Sequence, residues 1–269
     1  MKPDVSVIIV TYRSEKHIKP LLDSLKKGGG KLNLQVIIVD NYGQDNTLKI
    51  AKDHSLKPIV SQSSTNQGFA RGVNQALKHV QGKYVFLINP DCRLVGNCLK
   101  TLFDYVEKNT SLGVVVPRLV FPDGKIQPSV MNFPSIWNAF KEYFLGVKYS
   151  FNKYVPKGVV SVEVAVMAAM LIPKQVIDQV GELEKKYFLY YEDLDFCRRL
   201  KKAKLPIYYL PQAKVKHAHG ASGNFKSHLS SPLAKSAQIY HGVLYSHLLN
   251  LTLYLGQKWQ KLLAKLKKK

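Results

Sequence analysis

A chain of 269 residues with 46% hydrophobic content can bury one large core, or a core with a small second lobe, and is excluded from the disordered class. Its cysteines, Cys92, Cys98 and Cys197, show no metal or redox spacing and are odd in number, which argues against a disulfide framework and for a reducing compartment. The net charge of +22 is unevenly spread, since no Asp or Glu follows Asp195, and this asymmetry points to a polyanionic partner: nucleic acid or an anionic membrane surface.

Met1 to Asp4 runs straight into an apolar strand, Val5 to Val10, leaving no room for a signal peptide. A helix over Ile18 to Lys27 ends at Gly28-Gly29-Gly30, a stop and turn rather than a phosphate loop, because no helix starts after it. Val36 to Val39 is a second strand, followed by a helix through Ile50, a short third strand at Ile59-Val60 and a helix from Ala70 to His79. The run Tyr84-Val85-Phe86-Leu87-Ile88 reads as a buried parallel strand. Asn89-Pro90-Asp91 follows it. Proline cannot continue the ladder, so Asp91 is set down just past the strand's carboxyl end, where open α/β sheets bind ligands. A carboxylate there is placed to hold a divalent cation against a diphosphate. Strands alternating with helices predict a parallel, doubly wound sheet.

Past residue 113 the pattern loosens. Val114 to Val116 is a strand and Phe121 to Lys125 a turn. The aromatic, proline-punctuated stretch from Gln127 to Pro156 is either a mobile acceptor-facing loop or a surface excursion packed by its own aromatics. Val159 to Ile172 returns to strand character, Asp193 to Lys202 is helical, and Ile207 to Leu210 is a strand. Near the end, Trp259, Leu262, Leu263 and Leu266 share one helical face while Lys258, Lys261, Lys265 and Lys268 fall opposite, a pattern suited to a lipid headgroup layer. The apolar run Ile239 to Leu255 is short and interrupted by His241, Ser246, His247 and Asn250, so it reads as a packed or partly inserted helix rather than a span. The chain accordingly divides into a domain over 1–228 and a basic amphipathic helical segment over 229–269.

Thr11-Tyr12-Arg13 ends the first strand and Asp40-Asn41 the second, on the edge that carries Asp91. Asp40 suits the ring N–H of a uracil or thymine, a ribose hydroxyl, or a helix cap. In Asn66 to Asn74 the glycines permit close approach, and Arg71 can neutralise a phosphate. In the second acidic cluster, Tyr190-Tyr191-Glu192-Asp193-Leu194-Asp195, Asp193 is either a helix cap or a general base for a hydroxyl nucleophile. His217-Ala218-His219 offers imidazoles that could complete a metal site with Asp91.

These elements together resemble family 2 glycosyltransferases of the GT-A fold, in the branch that includes bacterial rhamnosyltransferases. The resemblance runs from Val5 to about Ser222, through Ser6 to Tyr12, Val39-Asp40-Asn41, Asn66 to Ala70, Asn89-Pro90-Asp91, Glu192 to Asp195, and His217 with Gly220 and Ser222. It implies a mixed doubly wound sheet with a nucleotide half and an acceptor half, followed by C-terminal amphipathic helices. It also implies inverting transfer from a UDP- or dTDP-sugar to a saccharide or lipid-linked saccharide in cell-surface polysaccharide synthesis, with Mg or Mn as cofactor. By that resemblance Thr11, Tyr12, Asp40, Asn41, Arg71 and Asn89 hold the nucleotide sugar, Asp91 and His217 the metal, and Asp193 acts as base with Glu192 as second acid. The expected place is the cytoplasmic, inner face of the cell membrane, bound peripherally.

The chain departs from the family at Arg13, at Gly181 to Lys185 and at Met167-Ala168, so the donor sugar is not inherited from the rhamnosyl branch. Two other classes fit parts of the sequence. One is a glycosyltransferase-like scaffold without catalysis. The other is a basic nucleic-acid-binding protein, which explains the charge but not the carboxylates at the strand ends, so no nucleic acid is expected as partner.

Overall fold

The computed structural model describes residues 2–109, 113–218 and 231–266. The first half reads β1 (Val5–Thr11), α1 (Glu15–Gly28), β2 (Leu34–Asp40), α2 (Thr47–Lys52), β3 (Ile59–Gln62), α3 (Phe69–Leu77) and β4 (Tyr84–Ile88). Then come β5 (Cys92–Val95), α4 (Cys98–Lys108), β6 (Val114–Val120), β7 (Val130–Met131), α5 (Ile136–Tyr143), β8 (Val160–Val162), β9 (Val164–Ala165) and β10 (Ala169–Pro173). The chain continues through α6 (Lys174–Val180), α7 (Glu192–Lys202), β11 (Ile207–His217), α8 (Pro232–His241) and α9 (Val243–Leu266).

The main sheet runs β3-β2-β1-β4-β10-β6-β11-β5, with β8 also on β11. Its first four strands are parallel, whereas β10 runs antiparallel to β4 and to β6. The uninterrupted apolar runs follow from covered faces on both sides. Val5, Val7 and Ile9 enter a core with residues of α1 and α4, while Ile8 and Val10 enter the opposite one with residues of α3, α6 and α7. Full burial of each such side chain stabilises the fold by about 1.5–3 kcal/mol.

Register then positions the ligand edge. Thr11 lies opposite Asp40, so the carboxyl ends of β1 and β2 coincide. β5 leaves immediately after Asp91 and pairs antiparallel with β11, which sets His217 opposite Cys92 and so beside Asp91.

Several elements differ from the sequence reading. The 127–156 stretch is an ordered excursion containing β7 and α5, with Trp137, Phe140 and Phe144 stacked at centroid distances of 5.7 and 5.2 Å. The strand expected over Ile207 to Leu210 continues to His217 across Pro211, because the register against β6 shifts between Leu210 and Lys214 and frees the ladder there. Helix α4 was not anticipated. Asp193 is not a helix cap, since α7 starts at Glu192 with Tyr191 before it. The terminal segment is two helices broken at Gly242, whose φ of 83° ends α8. His219, Gly220, Ser222, Lys268 and the boundary between 228 and 229 lie outside the described residues. Among those described, no helix is long and apolar enough to cross a membrane.

Candidate active site

The nucleotide-side residues gather where β1 and β2 end. Thr11 Oγ1 donates to Asp40 Oδ1 at 2.7 Å, and Asp40 Oδ2 accepts from Gly43 N at 2.8 Å and Gln62 Nε2 at 3.4 Å. A carboxylate offers about four acceptor directions, so Asp40 retains roughly one for a ligand. Asn41 Nδ2 donates to Gly68 O at 2.8 Å, while its buried Oδ1 has no hydrogen-bond partner among the described residues. Asn41, Thr11, Tyr12 and Pro90 line a cavity of about 100 Å³ together with Phe188 and Leu189. The close approach of that segment needs Gly68: a Cβ there would come within 2.2 Å of Phe188 O. Arg71 is exposed and lines a separate groove with Gln75, Lys78 and Glu182, so the fold does not bring it to this cavity.

Asp91 and His217 form the second group. Both are buried, and His217 Nε2 stands 3.5 Å from Asp91 Oδ1. On the far side of the ring, Nδ1 lies 3.1 Å from Gln127 Oε1. An amide oxygen only accepts, so Nδ1 carries a proton. In the neutral imidazole Nε2 then offers its lone pair on the carboxylate side, and the two groups suit a shared divalent cation. The thiol of Cys92 is in the same cluster, whose ligand atoms all lie within 4.8 Å of one another. It faces Ala168 O at 3.4 Å, and burial first, with the Asp91 charge next, pushes its pKa well up.

The third group opens α7. Tyr190 and Tyr191 have φ of 69° and 70°, an uncommon conformation for bulky residues that costs on the order of 1–3 kcal/mol each. Neighbouring contacts hold it in place. Phe69 N donates to Phe188 O at 3.0 Å, Ser236 Oγ of α8 donates to Leu189 O at 2.9 Å, and the Tyr191 ring packs on Tyr240 and His241. Behind this turn the Glu192 carboxyl is buried, and its Oε2 has no hydrogen-bond partner among the described residues. Burial first, and the Asp193 charge second, push its pKa up to about 8. Asp193 is also raised, by burial, against the opposing Lys153 ammonium and backbone N–H groups that include those of Leu194 and Met167. Asp195 differs: Arg198 and Arg199 each hold it at 2.9 Å, which makes it an anchor of the helix.

Backbone contacts join the last two groups. Asn89 N, two residues before Asp91, donates to Ala168 O at 2.9 Å, and the backbone N–H of the neighbouring Met167 is among the groups that hold down the Asp193 pKa. Sequence reasoning missed Gln127, Lys153, Ser236 and Tyr240. Each reaches the site from a distant segment and carries no local motif.

A parallel nucleotide half joined through an antiparallel strand to an acidic second half is the GT-A glycosyltransferase fold. Within that class, the chain belongs to the family described as glycosyl transferase family 2, whose sequence model matches residues 6–171. It is 25% identical over 251 residues to the N-acetylglucosaminyl-diphospho-decaprenol L-rhamnosyltransferase of Mycobacterium tuberculosis (strain ATCC 25618 / H37Rv), covering 84% of this chain and 80% of that one. It is 26% identical over 235 residues to the rhamnosyltransferase WbbL of Escherichia coli (strain K12), covering 83% and 87%. These likenesses place it on the rhamnosyltransferase-like side of the family. Among solved structures it matches GalNAc-T7 with UDP, GalNAc and Mn2+ at a TM-score of 0.65 and 12% identity, covering 89% of this chain and 48% of that one. Against S. aureus TarS 1-349 in complex with UDP the TM-score is 0.54 at 22% identity, covering 78% and 60%. The chain thus spans about half to three-fifths of those solved chains, and they support the fold alone.

Proposed function

We propose that this chain is an inverting transferase. It moves a hexosyl or deoxyhexosyl group from a UDP- or dTDP-sugar to a hydroxyl of a saccharide or lipid-linked saccharide, in cell-surface polysaccharide synthesis. The observation that carries the reading is the buried Asp91–His217 carboxylate–imidazole pair, 3.5 Å apart just past the end of β4, together with the raised acid pair Glu192 and Asp193 that opens α7.

In this reading Thr11, Tyr12, Asp40, Asn41 and Asn89 hold the nucleotide, with the orphan Oδ1 of Asn41 accepting from it. Arg71 stays in the set on resemblance alone. Asp91 and His217 would hold Mg or Mn, with Gln127 fixing the imidazole tautomer. Such a cation supplies charge stabilisation for the departing diphosphate. Asp193 takes the proton of the acceptor hydroxyl as its oxygen bonds to the anomeric carbon and the bond to the diphosphate oxygen breaks. Glu192, protonated at neutral pH by its environment, donates a hydrogen bond beside the base.

The proposed partner surface is an anionic membrane, at the cytoplasmic face of the cell membrane. It is supported by the absence of acids after Asp195 and by the exposed Trp259, Leu262 and Leu266 beside exposed Lys258, Lys261 and Lys265. We take the catalytic domain as 1–228 and the basic helices as 229–269.

A donor screen tests the reading by following release of UDP, dTDP or GDP with Mn, with Mg and with chelator. Release from one uridine or thymidine donor, lost with chelator, is the expected result. Release from no donor under any condition would overturn it.

A further inference from the structure

Helix α9 has two apolar sides, and the fold covers one of them. The inner side carries the buried Ser246, Leu249 and Gly256. Ser246 Oγ donates to Ala237 O of α8 at 2.9 Å, and a Cβ on Gly256 would come within 2.6 Å of Tyr143 Cβ of α5. The outer side carries Leu244, Leu248, Leu251 and Leu255, all exposed. Leu244, at 74%, is the most exposed large hydrophobic residue among those described. A contiguous apolar row of this kind marks an interaction site.

The spacing of the row points to its occupant. The four leucines follow one another at four, three and four residues, the repeat of a helix–helix seam. At about 100° per residue they fall within an arc of roughly 60°, narrower than the apolar face of a helix that rests on a broad surface. Their flanks are uncharged, since residues 243–257 contain no Asp, Glu, Lys or Arg. A helix lying in a lipid headgroup layer carries basic residues along its polar side. On α9 these begin only at Lys258, where the leucine spacing also breaks. The upstream half of α9 is thus built to meet another helix, and the downstream half to meet lipid.

We propose that Leu244 to Leu255 pairs α9 with the same helix of a second copy of this chain, antiparallel about a two-fold axis at Leu251. In such a pair one patch serves both copies and must complement itself. The row meets that condition. Leu251 faces the partner's Leu251, Leu248 faces the partner's Leu255, and Leu244 faces the aliphatic stem of the partner's Lys258. Charge selects the direction. A parallel pair would set Lys258, Lys261 and Lys265 of both copies side by side. The antiparallel pair sends them to opposite ends of a seam about 20 Å long. A helix of some other protein would need no symmetry about Leu251.

The pairing is independent of the transfer chemistry, so its test needs no turnover. Sedimentation compares the full chain with its Leu248→Gln/Leu251→Gln double variant, at concentrations on the order of 100 μM. Both positions are exposed in the single copy, and glutamine is neutral and a good helix former, so fold and charge are kept. The native chain should sediment as a dimer, and the double variant's dissociation constant should rise about 100-fold or more. Disulfide cross-links read the direction, because Cys92, Cys98 and Cys197 are buried. Leu251→Cys should cross-link with itself, and Leu244→Cys with Lys258→Cys but not with itself. A monomeric native chain would overturn the proposal, and so would a double variant that dimerises as well as the native chain. Cross-linking of Leu244→Cys with itself would overturn the antiparallel pair. A native monomer whose vesicle binding falls with the double substitution would assign the row to lipid instead.

Discussion

Asp40 and Glu192 are both buried carboxylates, one at the end of the regular half of the molecule and one at the start of the irregular half. Asp40 accepts from Thr11, Gly43 and Gln62. Glu192 leaves Oε2 unpartnered and stands beside a second acid. The first arrangement organises a loop and fixes a rim. The second stores unsatisfied polarity where a substrate can use it. Asp40 is thus built by saturation, whereas Glu192 keeps a polar atom open.

The largest expected effect tests the join between the halves. Asp91→Ala should abolish metal-dependent donor binding while the chain stays folded, because Asp91 lies beyond the end of β4 and outside both cores. Isothermal titration of UDP or dTDP with Mn measures it. Unchanged affinity would remove Asp91 from the metal site. His217→Ala should weaken the same dependence.

Asp193→Asn comes next. It keeps the shape of the side chain and removes its basicity, so transfer should drop by about 10²-fold or more while donor affinity holds. A near-normal rate in that variant would move the base elsewhere, with Glu192 next in line.

Two truncations sharpen the comparison further. Removing 258–269 should release the chain from anionic vesicles and leave turnover of a soluble acceptor intact. Removing 231–269 also takes away Ser236 and Tyr240, which hold the left-handed turn before Glu192. We expect kcat to fall at least tenfold there, with KM for the donor little changed. If the longer deletion is as active as the shorter, α8 does not position the base.

Much of the nucleotide half was legible because its strands are buried on both faces, so periodicity and burial agree at Val5 to Thr11, Leu34 to Asp40 and Tyr84 to Ile88. Asp91 was legible for a related reason, since a proline after an apolar run marks a strand end. The acceptor half was harder. Apart from the seven-residue β6, its strands are two to five residues long before β11, too short for a period to show. Pro211 hid the continuation of β11 toward His217, because a register shift is a property of the partner strand as much as of the sequence. Gln127 meets His217 across ninety positions, a contact no local pattern encodes. Helix α4 is a different case: Leu99, Leu102 and Val106 are spaced for one buried face, and that signal was present.

The smallest expected effect returns to the two buried carboxylates, amidated in parallel. Asp40→Asn replaces an acceptor with a donor against Gly43 N or Thr11, and should cost about 1–3 kcal/mol of stability. Glu192→Gln should cost little at pH 7, where the native carboxyl is already neutral. The sign of its pH dependence follows from the raised pKa. The folded state binds this proton more tightly than the unfolded chain, whose value is near 4.5. Stability from Glu192 is therefore full below pH 4.5 and is lost as pH rises through about 8. Thermal melts across that window should show the native chain losing thermal stability as pH rises, since each kcal/mol shifts a domain of this size by roughly 2–4 °C. Glu192→Gln should flatten that slope, because an amide has no proton to lose, whereas Asp40→Asn should lower stability at pH 7. Parallel curves for Glu192→Gln and the native chain would mean that Glu192 is ionised throughout, and the contrast between the two halves would fail at its sharpest point.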